Sequence, residues 1–141
     1  MKNYIFSSLL ILTILFGAHN LNAQHSGNED KINYVVITKK IPQLQPILLT
    51  AEALKAEDGE NFGEFKIIIC GKEIGDITDS DKINKFIKKA DNAGVKIIAC
   101  GFSLNKFKVD KTKIPQEIET VENGILYNFQ LQKKGYKSIT L

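Results

Sequence analysis

Two stretches decide the fold: Phe65-Lys66-Ile67-Ile68-Ile69-Cys70-Gly71 and, 30 residues on, Val95-Lys96-Ile97-Ile98-Ala99-Cys100-Gly101. Each is an almost unbroken apolar run, rich in β-branched side chains and closed by glycine. A run with no polar face to offer water reads as a strand covered on both sides, as in a parallel sheet. Between the two, Asp79 or Ser80 can cap a helix whose apolar stripe is Ile83, Phe86, Ile87 and Ala90, with Gly94 placed for a left-handed stop. The offset is about the length of one strand-helix unit. Each Cys therefore falls at the carboxyl end of its strand, where open α/β folds assemble their sites.

The alternation continues outward. Upstream, Tyr34-Val35-Val36-Ile37-Thr38 reads as another buried strand. It is followed by a helix marked by Leu44, Ile47, Leu48 and Ala51, with Pro42 and Pro46 tolerable only near its first turn and Gly59 beyond its end. Downstream, residues 118–121 form a weaker strand, and Ile125, Leu126 and Phe129 mark a helix closed by Gly135. Ile139 and Leu141 alternate in a terminal strand. The expectation is an α/β fold, a three-layer α/β/α sandwich with a mostly parallel sheet of about five strands, occupying residues 33–141 as one domain.

What precedes that domain reads differently. Lys2 followed by the apolar run from Ile5, with Leu21-Asn22-Ala23 offering a small residue at a cut, reads as an export signal over residues 1–23. The run is shorter than the ~20 apolar residues of a spanning helix, so no membrane attachment is expected after its removal. Residues 24–32 are a polar lead-in, and the expected location is exported, periplasmic or secreted. His19 and His25 both fall before the domain, which excludes a Ser-His-Asp or Cys-His pair within it. Two thiols without imidazole make only half of a usual zinc set, so no metal is expected.

Charge excludes further classes. All 19 basic residues are Lys against 16 acidic ones, a net charge of +3. Without the planar Arg fork and with so mild a charge, no nucleic-acid partner is expected. The turn after the first strand, Lys39-Lys40-Ile41-Pro42, has no glycine-rich phosphate cradle, and no nucleotide or flavin cofactor is expected.

The two cysteines remain as chemistry. An ordinary thiol of pKa about 8.5 is only about 3% ionised at pH 7, so a reactive one needs its thiolate favoured by its surroundings. After Cys100, Gly101 lets the backbone turn closely, Ser103 can cap a short helix, and Lys106 adds positive charge. Cys100 is thus the candidate catalytic residue, with Gly101, Ser103 and Lys106 as candidate binding residues. Cys70, followed by the offsetting Lys72 and Glu73, is a second candidate thiol. A bridge between the two is geometrically open only if their strands are neighbours, since neighbouring strands lie ~4.8 Å apart.

Taken together, the chain resembles the DsrE/DsrF-like sulfur-relay family. The resemblance rests on Val95-Lys96-Ile97-Ile98-Ala99-Cys100-Gly101-Phe102-Ser103-Leu104, then Val121-Glu122-Asn123-Gly124, then Gly135-Tyr136. It implies a small, typically oligomeric α/β protein in which the Cys at the position of Cys100 carries sulfur as a persulfide. On that resemblance the expected function is a sulfurtransferase or persulfide carrier. Its expected partners are a sulfur donor or acceptor protein or a small thiol, together with further copies of itself. The residues read alone also admit a non-catalytic oligomeric binding module with structural cysteines.

Overall fold

The β-branched runs form the middle of a five-stranded sheet. In the computed structural model, which describes residues 31–141, the strands are β1 (Ile32–Thr38), β2 (Phe62–Ile69), β3 (Val95–Cys100), β4 (Glu119–Val121) and β5 (Lys137–Thr140). Their order across the sheet is β4-β3-β2-β1-β5, and every neighbouring pair is parallel. Four α-helices accompany them: α1 (Leu44–Asp58), α2 (Ser80–Ala93), α3 (Gly101–Lys106) and α4 (Gly124–Lys133). Helices cover both sides of the sheet, so the expected α/β sandwich with a parallel sheet is the observed one.

The core is where the sequence placed it. Ile67, Ile68 and Ile69 of β2 and Ile98 and Ala99 of β3 have no solvent exposure. They are closed over by Leu44, Ile47, Leu48 and Ala51 of α1 and by Ile83, Phe86 and Ala90 of α2. Each fully buried Ile or Leu contributes about 1.5–3 kcal/mol relative to an exposed one. α2 is capped by the Asp79 carboxylate, which accepts from the Asp81 N–H at 3.1 Å, and ends at left-handed Gly94 (φ 74°), both as expected. Lys66 is buried inside this apolar strand because Glu64 pairs with it at 2.8 Å and the Tyr127 and Tyr136 rings lie 5.9 and 5.2 Å from its ammonium.

Register gives the 30-residue echo a physical meaning. Lys66 pairs with Lys96, Ile67 with Ile97, Ile68 with Ile98 and Ile69 with Ala99. The repeated residues are therefore side by side on neighbouring strands. Cys70 and Cys100 follow as neighbours at the carboxyl edge.

Several boundaries differ from the sequence reading. β1 begins at Ile32, so the lead-in yields its last residue to the sheet. β2 begins at Phe62 and closes at Ile69, leaving Cys70 just beyond it with its N–H donating to the Thr38 carbonyl at 2.9 Å. The segment Lys72–Thr78 is a 3-10 helix that buries Ile74 and Ile77. In α4 the inward face is Gly124, Asn128 and Leu131, while Ile125, Leu126 and Phe129, the residues that mark it in the sequence, are 59%, 55% and 56% exposed. The export signal assigned to residues 1–23 lies outside the described residues, as does most of the lead-in. Among the described residues, no helix is long and apolar enough to cross a membrane.

Candidate functional site

At the carboxyl edge of β2 and β3 the chain encloses a cleft of about 430 Å³ whose floor holds both thiols. Cys100 ends β3, and the chain continues directly from it into α3. Cys70 follows β2 and leads into Gly71. The two cysteines are free, and at 3% and 8% exposure Cys100 and Cys70 face solvent only through the cleft. Phe102, Phe107 and Ile125 make its apolar wall, Asn123 and Ser103 supply polar edges, and Lys39 and Lys106 are its charged side chains. A small anionic or sulfur-bearing ligand suits such a lining better than a cation does.

Four groups converge on the Cys100 sulfur. The Gly124 N–H, at the start of α4, donates to Sγ at 3.2 Å. The Ser103 hydroxyl, the Ser103 N–H and the Cys70 thiol also hydrogen-bond to it. Burial works against a Cys100 thiolate and is the largest single influence, yet these hydrogen bonds, Ser103's hydroxyl first, outweigh it and hold the thiol below its ordinary value. Cys70 goes the other way. Burial first, then the neighbouring Cys100 charge and its hydrogen bond, push the Cys70 thiol up to about 12, with Lys39 opposing weakly. Of the two thiols, Cys100 is therefore the one that ionises first, while Cys70 keeps its proton.

Backbone shape makes this convergence reachable. A Cβ on Gly124 would stand 2.7 Å from Cys70 Sγ, 2.8 Å from Ile68 Cγ2 and 3.1 Å from Cys100 Cβ, so only glycine brings this N–H onto the sulfur. Gly101 is tight as well: a Cβ there would lie 2.9 Å from the Val121 carbonyl oxygen, where α3 starts beside β4. Asn123 fixes the start of α4 by accepting from the Ile125 and Leu126 N–H groups at 3.0 and 3.2 Å.

The structure brings Cys70, Cys100, Ser103 and Lys106 together at the cleft, leaves Gly101 outside its lining, and changes the role of Ser103. Ser103 is not a helix cap, because α3 already begins at Gly101 and Cys100 occupies the capping position without a side-chain bond. Instead Ser103 Oγ accepts from the Gly71 N–H at 3.0 Å while its hydroxyl serves Cys100. Lys106 lines the wall, its ammonium 5.8 Å from the Phe107 ring. Gly124 and Asn123 carry site roles that sequence reasoning did not assign, although both stand in the segment Val121-Glu122-Asn123-Gly124 that the resemblance singled out. Among the described residues no group of three or more His, Cys, Asp or Glu is placed to hold a metal ion.

No protein-family model matches the chain, and no curated protein matches it. Solved structures do resemble it. A protein of unknown function from Methanobacterium thermoautotrophicum superposes with a TM-score of 0.63 at 15% identity, covering 77% of this chain and 100% of that one. A conserved protein of unknown function from Bacteroides thetaiotaomicron gives 0.58 at 18% identity, covering 77% and 95%. At these identities the likeness shows the fold alone.

Proposed function

We propose that the chain is an exported, periplasmic or secreted, sulfur carrier of the DsrE-like type. Cys100 accepts sulfane sulfur from a donor persulfide and passes it to the thiol of a partner protein or small molecule. The observation that carries this reading is the convergence of hydrogen bonds on Cys100, which favours its thiolate on the floor of an accessible cleft. In the loading step the Cys100 thiolate attacks the outer sulfur of the donor R–S–SH. A Cys100 S–S bond forms, the donor's S–S bond breaks, and the donor leaves as thiolate R–S⁻. Delivery is the same exchange in reverse, with the acceptor thiolate as the attacking group.

Copies of the chain are proposed to associate. The support is the set of exposed apolar residues around the cleft mouth, Phe102, Phe107 and Ile125, which continue onto Leu126 and Phe129 of α4.

The test uses glutathione persulfide as donor. The chain is expected to release glutathione, up to one per chain, in a reaction lost in Cys100→Ser. Equal release from the Cys100→Ser variant overturns the assignment.

A further inference from the structure

The carrier reading uses one thiol, yet a second stands beside it. Cys70 and Cys100 continue a parallel register in which Ile69 pairs with Ala99, on strands that are direct neighbours. Neighbouring strands run ~4.8 Å apart, inside the Cα separation a disulfide accepts. Their side chains also converge: Cys70 Sγ and Cys100 Cβ lie 2.7 and 3.1 Å from the same point above Gly124. Both line the floor of the same cleft. A thiol placed only for packing has no need to meet its neighbour at the cleft floor.

We infer that Cys70 resolves the Cys100 persulfide, so that the site reduces sulfane sulfur to hydrosulfide and closes to a Cys70–Cys100 disulfide. This rests on Cys100 being loaded as described above and adds a second fate for the bound sulfur. In the step, the Cys70 sulfur attacks the inner sulfur of Cys100–S–S⁻. The Cys70–Cys100 bond forms, the bond between inner and outer sulfur breaks, and the outer sulfur takes the Cys70 proton and leaves as HS⁻. Atoms, charge and electrons balance: the two cysteine sulfurs are oxidised to the disulfide and the sulfane sulfur is reduced. A further cycle requires an external dithiol to reopen the bridge. Cys70 holds its proton at rest, so that proton passes to the leaving sulfur as the attack occurs, and the hydrogen bond from Cys70 to Cys100 places it beside the bond that breaks.

The experiment loads the full chain anaerobically with a small excess of glutathione persulfide, removes small molecules, and follows sulfide and peptide masses. Wild-type protein is expected to release one sulfide per loaded chain and to yield a linked Cys70–Cys100 peptide under non-reducing mapping. Cys70→Ser is expected to load more slowly and then to keep the extra sulfur on Cys100 until a thiol acceptor is added. A wild-type persulfide that persists as long as the variant's overturns the resolving role and leaves the carrier reading standing. Failure of both proteins to consume donor overturns the carrier reading itself. If Cys70→Ser does not fold, wild type decides alone: sulfide without the linked peptide, or loading without sulfide, overturns the inference.

Discussion

Ser103 joins the two strand ends through one oxygen. It accepts from the Gly71 N–H, which aligns its hydroxyl, and that hydroxyl stands first among the hydrogen bonds favouring the Cys100 thiolate. Ser103→Ala removes the donor and leaves the Gly71 N–H without its partner. One hydrogen bond to a charged group is worth about 1.5 kcal/mol or more, and a factor of ten about 1.4 kcal/mol. The variant is therefore expected to alkylate at Cys100 about tenfold more slowly at neutral pH, with the apparent pKa of the reaction displaced upward. An unchanged pH profile for alkylation removes Ser103 from the site. The difference between the two cysteines belongs to the same test. Since Cys70 keeps its proton to about 12, labelling at neutral pH is expected at Cys100 first.

α4 contributes to the site through its first turn, and that turn hangs on Asn123. Asn123→Ala is expected to destabilise the protein by about 1 kcal/mol, the usual loss for a helix cap, and to raise the alkylation pKa of Cys100 by loosening the Gly124 N–H. A melting curve and an alkylation profile read the two effects separately, and a loss of stability without any pKa change separates the cap from the site. The same helix shows what the sequence could and could not disclose. β2, β3, α1 and α2 are legible because buried strands and amphipathic stripes write their burial into residue type, and Asp79 and Gly94 mark the limits of α2. α4 is misleading: its large apolar residues Ile125, Leu126 and Phe129 are exposed, and it packs inward through Gly124, Asn128 and Leu131. Asn128 is buried because Ser138 donates to its side-chain oxygen at 2.9 Å, a partner ten residues away that no periodicity reveals. For the site, Cys100 and its surroundings are readable from Cys-Gly-x-Ser. The pairing with Cys70 depends on strand order, which residue spacing does not fix.

Across the whole fold, three buried protons are held in place by the sheet and the elements around it. Tyr34 Oη donates to Asp58 at 2.6 Å, and that bond with burial pushes the phenol up to about 12 from 10.0. Cys70 rises to about 12 from 9.0, for burial first and the Cys100 charge second. Burial opposes the charge on Lys66, but the Glu64 and Tyr136 hydrogen bonds outweigh it and raise its value too. All three shifts have the same sign: the folded chain holds these protons to higher pH than the unfolded chain does. Stability depends on pH through the difference in protons bound, so their contribution is complete below the unfolded values and shrinks wherever the native state alone remains protonated. For Cys70 that window is pH 9 to 12, and for Tyr34 it is pH 10 to 12. The melting temperature is therefore expected to decline progressively above about pH 9. Tyr34→Phe, which has no proton to lose, should start less stable at neutral pH because the Asp58 bond is gone, and should decline less steeply between pH 10 and 12. Thermal melts of both proteins across that range decide the matter: equal slopes exclude Tyr34 as a contributor, and a wild-type midpoint that rises with pH contradicts the direction of all three shifts.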